Sequence, residues 1–412
     1  MGDKRGLRGK VKAVSQAREK VWFGVAIAFY AFVAIAVAEA GLGVLLPSIL
    51  EAYNLNPATV TLLFISQTGG YVVAAFSSSL ISSRLGLARM LLLAAMLLMG
   101  ALIIYALNPF WSVMVAAGVL LGLGIALIDA GINTFIVDNQ QTNHLVGMLH
   151  AFYGVGALLG PTIATSLLAF GLNWRSIYLV FAGVVGLLVV AVGWAIAQNY
   201  RPMTMRVNAA QTSAKNNLRV ALRTPTVLLT GLLLMVYVGA EVSVGNWAYS
   251  VQNLSRGIPA VVAGYSISAY WLGLTIGRLT LGYFMRRLGA VRTLDISLVL
   301  LSIGLLAWWL VPNLSLSLPL IGFGFAAIYP ATIALLPRRI SAALIPAAIG
   351  FVSSVASLGA ASLPSVIGWI ASRTSLEIIP ILMMPLAVVM VIVHRWLAGT
   401  VTSDQRSVTS DR

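Results

Sequence analysis

Cysteine is absent from this 412-residue chain. That excludes disulfides and thiolate metal sites, although it does not locate the compartment. Charge is scarce as well: Asp, Glu, Lys and Arg together make up 9% of the residues, against about 25% in soluble domains. The chain has no Gly-x-x-x-x-Gly-Lys-Ser/Thr phosphate loop, no His-Glu-x-x-His pair and no polar stretch large enough for a soluble catalytic domain. The sequence therefore argues against an enzyme and against ATP-driven transport by this chain alone, and no cofactor or metal is expected. What it has instead is apolar length, with 59% hydrophobic residues. An all-α polytopic membrane protein is the class that remains.

Cutting at Pro, Gly, Asn and basic clusters leaves twelve apolar runs, roughly 21–50, 57–83, 88–107, 110–137, 145–170, 175–198, 224–251, 260–285, 290–311, 315–337, 344–370 and 375–398. Each is close to or above the ~20 residues that span a bilayer. The formal charge of +15 invites a nucleic-acid reading until the 26 basic residues are placed. With the N-terminus cytoplasmic, 22 fall on the inner side, Arg175, Arg256 and Arg373 fall outside, and Arg278 alone lies within a span. This asymmetry predicts cytoplasmic termini and basic segments that meet lipid headgroups, with no nucleic-acid partner. The basic-then-apolar order of residues 1–38 imitates a secretory leader, but the apolar stretch is too long and its removal would cost one of twelve helices. Asn253-Leu254-Ser255 and Asn313-Leu314-Ser315 fit the glycosylation acceptor pattern on predicted outer loops, a pattern short enough to arise by chance.

The chain repeats itself. Ala38-Glu39-Ala40-Gly41-Leu42-Gly43 matches Ala240-Glu241-Val242-Ser243-Val244-Gly245 at an offset of 202, and Arg84-Leu85-Gly86 matches Arg287-Leu288-Gly289 at 203. Gly156-Ala157 and Pro161 match Gly359-Ala360 and Pro364 at 203, and Gly122-Leu123-Gly124 matches Gly322-Phe323-Gly324 at 200. Two pseudo-symmetric six-helix bundles follow, over 21–198 and 224–398, with a basic tail at 1–20, a basic linker at 199–223 and a C-terminal tail at 399–412. Parallel repeats joined by a basic central loop resemble the major facilitator superfamily, whose substrates bind near the midplane between two rocking halves. Gly282-Tyr283-Phe284-Met285-Arg286-Arg287-Leu288-Gly289 resembles that family's loop signature, while the first-half copy has Ser78, Ser79, Ser82 and Ser83 where a Gly and an Asp are expected. In segment five, Gly154, Gly156 and Gly160 suit close helix packing, with Pro161 bending the span.

Ionisable groups inside a membrane are functional-site candidates, because a charge at the bilayer centre costs at least ~2.5–3.5 kcal/mol. The spans hold Glu39, Asp129, Glu241, Arg278 and His150. Asp129 and Asn133 share a helical face, as do Gln67 and Tyr71, and Tyr237, Glu241 and Gln252 form a stripe that Trp247 leaves. Gly239 and Gly245 are expected to loosen the seventh helix. A protonatable acid at intermediate depth suits a cation-coupled carrier, and Glu39 and Asp129 are the expected coupling residues. Arg278 reads as a gating or structural ion-pair partner together with Arg287. His150 sits near a helix end, where a structural role outweighs a relay.

The stretches Leu149 to Pro161, Tyr237 to Trp247 and Tyr270 to Leu279 resemble segments five, seven and eight of the fucose:proton symporter family and its sodium-dependent glucose transporter-like relatives. The resemblance implies alternating-access symport of a neutral sugar or similar small polar solute. Proton coupling is favoured over sodium, and efflux of an amphipathic or lipid-like compound is the alternative. It also implies acids in helices one and four for coupling and recognition, the places of Glu39 and Asp129, and a Glu and a Trp at the places of Glu241 and Trp247; with the polar residues Gln67, Asn133, Tyr153, Tyr237 and Asn246 these last two make up the expected substrate site. A monomer in a bacterial inner (plasma) membrane is expected.

Overall fold

The computed structural model describes residues 3–108, 110–138, 144–200, 203, 219–313, 316–341 and 344–410. Twelve of its helices are long and apolar enough to cross a membrane, and we number them by span. They are α1 Trp22–Ala52, α2 Pro57–Leu85, α3 Leu87–Leu107, α4 Trp111–Ile136, α5 Met148–Ala169, α6 Trp174–Ala197, α7 Pro225–Ser255, α8 Ala260–Leu288, α9 Ala290–Leu310, α10 Ser317–Arg338, α11 Ala347–Arg373 and α12 Ile378–Gly399. Among the described residues there is no strand. The protein is an integral multi-pass membrane protein, and the predicted spans hold to within a few residues. Most of the expected linker 199–223 lies outside the described residues, as do Leu314 and Ser315 of one acceptor triplet. The other triplet, expected in a loop, forms the π-helical end of α7 at Val251–Ser255.

Local signals set several boundaries. The Asn56 side chain accepts from the Thr59 N–H at 2.9 Å just before Pro57, and Asn173 does the same for Arg175 at the start of α6, as N-caps do. The repeated loop after α2 and α8 turns on Gly86 and Gly289, with φ of 81° and 78°, a region closed to residues with a Cβ when ψ is near 160°. Both glycine N–H groups close the preceding helix, onto the Ser82 and Met285 carbonyls.

In the first bundle α1 packs on α5 and α6, α2 on α4, and α3 on α4 and α6; in the second, α7 packs on α11 and α12, α8 on α10, and α9 on α10 and α12. Lipid supplies no hydrophobic drive between helices, so close backbone approach matters more. The repeated glycines supply it. A Cβ on Gly122 of α4 would strike the Gln67 carbonyl of α2, and one on Gly322 of α10 would strike the Tyr270 carbonyl of α8. Gly156 of α5 meets the Val33 carbonyl, and Gly359 of α11 meets that of Met235.

The halves meet along α5–α8, α1–α7 and α2–α11. Gly43 and Gly245, equivalent residues of the repeat, pack backbone to backbone, which places them on the pseudo-two-fold axis. Around them the two side seams mirror each other: Thr165 of α5 fills the space at Gly264 of α8, while Thr61 of α2, with Trp247, fills the space at Gly368 of α11. Thr162 donates to Ser268 at 2.9 Å across the α5–α8 seam. These contacts seal the half of the interface farthest from the basic loops. Contrary to the sequence expectation, α7 runs unbroken from Pro225 to Ser250, because Gly239 and Gly245 serve as approach points for α11 and α1 rather than as flexible joints. The helical hydrogen-bond pattern is interrupted instead at Gly41 of α1, two residues after Glu39, at Thr61 of α2, and between Phe325 and Ile328 of α10, with Gly41 and Thr61 both keeping helical φ and ψ.

Candidate functional site

Beneath the seal the polar side chains predicted for the interior gather between the halves. Glu39 ends the first helical piece of α1, and its Oε2 accepts from the Tyr153 hydroxyl of α5 at 2.8 Å. On α4, Asp129 accepts from the Tyr71 hydroxyl of α2 at 3.1 Å on Oδ2 and from Asn133 Nδ2 at 2.9 Å on Oδ1. The last bond is the one that i, i+4 spacing allows. Both acids are half-buried. Among the described residues no basic side chain lies within ion-pair distance of either.

The second half is wired differently. Glu241 of α7 is buried, with its Oε1 3.6 Å from Arg278 Nη2 of α8 and its Oε2 without a hydrogen-bond partner. Arg278 also donates to the Tyr237 hydroxyl at 3.3 Å, and the Tyr270 hydroxyl donates to the Glu241 carbonyl at 2.9 Å. Tyr237 packs edge-on against Phe325 and at a tilt against Tyr329, whose hydroxyl bonds Ser353 of α11 at 2.9 Å. The clusters feel each other: Glu39 lies within electrostatic reach of Asp129 and Glu241, Arg278 within reach of Tyr153 and His150, and Tyr329 within reach of Asp129. Since the seal closes the far side, the surface these half-buried groups keep opens toward the basic loops.

Of the residues singled out from sequence, Glu39, Asp129, Asn133, Tyr153, Tyr237, Glu241 and Arg278 come together. Gln67 is half-buried one turn from Tyr71 on the sealed side. Asn246 is half-buried beside the Gly43–Gly245 contact. Trp247 stands apart, 0% exposed, with its indole N–H donating to the Pro364 carbonyl at 3.0 Å and its ring edge-on to Phe64. It belongs to the seal. Arg287 is exposed at the basic end, with its guanidinium 5.6 Å from the Tyr283 ring centre, away from Arg278. Sequence reasoning missed Tyr329, Ser353 and Tyr270 as neighbours of the acids. For Tyr329 a signal existed, since it is the repeat equivalent of Asp129 at the 200 offset set by Gly122 and Gly322.

The sequence model of the Major Facilitator Superfamily matches residues 27–317 and 248–411. The chain belongs to the major facilitator superfamily. It is similar to the Saccharomyces cerevisiae protein called bypass of stop codon protein 6, at 28% identity over 62% of this chain and 56% of that one, so it spans little more than half the length of that relative. It is also similar to the glucose/mannose transporter GlcP of Bacillus subtilis, at 24% identity over 74% of this chain and 77% of that one. Among solved structures, the D-xylose-proton symporter shares the fold with a TM-score of 0.71 at 15% identity, over 90% of this chain and 97% of that one. Membership of the superfamily accounts for the two six-helix halves found here, the architecture in which substrate binds between the halves in its transporters.

Proposed function

We propose that the protein carries a neutral sugar or a similar small polar solute by alternating access, in symport with a proton. The observation that supports this most is that Glu39 and Asp129, at the interface of the two halves, are held only by uncharged hydrogen-bond donors. A guanidinium beside an acid favours its charged form, as Arg278 does for Glu241, whereas an acid held by tyrosine and amide has no such cation to oppose uptake of a proton as its access to water changes. Asp129 with Asn133, and Glu241 with Arg278, present acceptors and donors side by side, as vicinal hydroxyls require. The rings of Tyr237 and Tyr329 offer a flat apolar wall. The positive-inside rule makes the basic face cytoplasmic, puts both termini there and leaves the site open to the inside of a bacterial plasma membrane. A proton moving inward then gains ~2.3 kcal/mol per 100 mV, enough to drive accumulation of a neutral solute. The test is uptake of labelled hexoses and fucose into proteoliposomes of the purified protein under an inward proton gradient, an inward sodium gradient or neither. Accumulation of one stereoisomer that requires the proton gradient is expected. No sugar flux under any gradient would overturn the reading in favour of efflux of an amphipathic compound.

A further inference from the structure

One corner of the second bundle, at its basic end and away from the transport site, holds buried donors that nothing in the protein satisfies. Arg339 follows the 3₁₀ turn Leu336–Arg338 that finishes α10. Its Nε and Nη2 are both buried without a partner, and His394 of α12, whose Nδ1 is the acceptor nitrogen of a ring that gives Nε2–H to Asp295, lies within electrostatic reach of Arg339. The acid at hand is already engaged: Asp295 Oδ1 of α9 takes His394 Nε2 at 3.0 Å and Arg395 Nη2 at 3.4 Å. Nε and Nη2 form the edge of a guanidinium that grips two oxygens of one oxyanion. The chain shows that edge filled on the opposite face, where Arg256 Nε and Nη2 hold Glu377 Oε1 and Oε2 at 2.8 and 2.9 Å. On Arg339 the same edge is unmatched. Burial lowers the Arg339 pKa to about 10, still protonated at neutral pH, so this half-buried site carries a positive charge that no acid among the described residues offsets directly.

We infer that Arg339, with Arg395 nearby, forms a site for the phosphate of an anionic lipid headgroup. Two features favour a lipid over free phosphate. The site lies at the level of the basic loops, where headgroups of one leaflet sit, and basic pockets between helices on that side suit anionic lipids. On the outer face of the same helix turn, Ile392 and Trp396 of α12 are exposed at 61% and 51% and offer acyl chains an apolar surface.

The experiment uses the full-length protein in detergent, with lipid retention read by native mass spectrometry and stability by melting temperature, on addition of phosphatidylglycerol, phosphatidylcholine or inorganic phosphate. Phosphatidylglycerol alone should raise the melting temperature and remain bound. Arg339→Gln should weaken retention about tenfold, the effect of one lost charge-assisted contact of about 1.4 kcal/mol. Arg339→Lys, which keeps the charge and loses the two-donor edge, should fall between. Arg286→Gln, an exposed arginine on the same face, should behave as wild type. If Arg339→Gln does not fold, Arg339→Lys against Arg286→Gln decides the matter. Equal retention in those two variants, or no preference for phosphatidylglycerol over phosphatidylcholine, would refute the site. A shift with inorganic phosphate that phosphatidylglycerol does not exceed would refute the lipid as its source.

Discussion

Replacing Glu39 with Gln separates coupling from binding. The amide has nearly the shape of the carboxylic acid, and its carbonyl oxygen can keep the 2.8 Å bond from the Tyr153 hydroxyl. A net change of one hydrogen bond is about 0.5–1.5 kcal/mol, so substrate affinity should shift by no more than roughly tenfold. Coupling should change far more. One proton carried across 100 mV supplies ~2.3 kcal/mol. At tenfold per 1.36 kcal/mol that is roughly 50-fold accumulation, with another factor of about ten for each pH unit of gradient. Proteoliposomes at 100 mV and one pH unit, inside negative and alkaline, should therefore concentrate substrate toward a ceiling of about 500-fold with wild-type protein and not at all with Glu39→Gln. Counterflow of labelled against unlabelled substrate, which moves no net proton, should survive in the variant. Undiminished accumulation by Glu39→Gln would remove Glu39 from the coupling role, and loss of counterflow alongside accumulation would make it a binding residue instead.

Four further outcomes follow from the geometry. Gly43→Val puts a Cβ into the Gly245 carbonyl and should wedge the seal open; because the chain has no cysteine, a single Asn246→Cys reporter should then label faster with an impermeant maleimide from the sealed face, and an unchanged rate would show that the contact is not the closure. Trp247→Ala should cost about 3–5 kcal/mol of stability, seen as a lower melting temperature, while substrate affinity measured below the transition stays within about threefold; the reverse pattern would return Trp247 to the substrate site. Glu377→Gln leaves Arg256 unmatched at 5% exposure, but Glu377 itself is 42% exposed, so the loss should be about 1–2 kcal/mol; the Arg256 hydrogen bonds hold the Glu377 carboxyl below the usual range, so this stabilisation is present above about pH 4.3 and disappears as pH falls below it, in wild type but not in the variant. Arg278→Gln, which strands the buried Glu241 charge, should destabilise by about 3–5 kcal/mol, and adding Glu241→Gln should recover much of it; a double variant as unstable as the two single losses combined would show that the pair is not coupled.

The spans, the repeat and the family fold were legible because lipid imposes them on composition: a helix must be long and apolar to cross, and basic residues collect at one face. The acid pairs were partly legible, since Asp129 with Asn133 is a same-helix spacing, whereas Glu39 with Tyr153 joins residues 114 apart. The role of Trp247 was not. Whether an aromatic ring lines a cavity or plugs a seam depends on the rotation of α7 against α2 and α11, and a tryptophan inside an apolar span fits either. The Arg256–Glu377 and His394–Asp295 pairs, 121 and 99 residues apart, join helix ends that become neighbours only when the second bundle closes. The helix breaks also ran against expectation. Two glycines in α7 looked like joints, yet a glycine pressed against a neighbouring helix stiffens an interface, and the interruptions fall in α1, α2 and α10 instead.

The two glutamates that open the repeat show how a duplicated fold divides labour. Their surroundings in sequence are alike, but each has a partner that the other half lacks. Tyr153 holds Glu39, and its equivalent in α11 is Ala356; Arg278 pairs with Glu241, and its equivalent in α2 is Ala75. Exchange between alanine and a long polar side chain at these two pairs of positions is enough to give one acid a cation and leave the other without one. Across the same axis Asp129 faces its equivalent Tyr329, so a third acid also occurs on one side only. Had neither half kept the guanidinium, three acids would crowd the centre without compensation. With one arginine among them, uptake of a single proton by Glu39 changes the net charge at the interface from −2 to −1 by formal count over Glu39, Asp129, Glu241 and Arg278, and a second at Asp129 brings it to zero. On the proposed reading, the state that closes around substrate and crosses the membrane is the one that has taken up the Glu39 proton, because burying each uncompensated charge costs several kcal/mol.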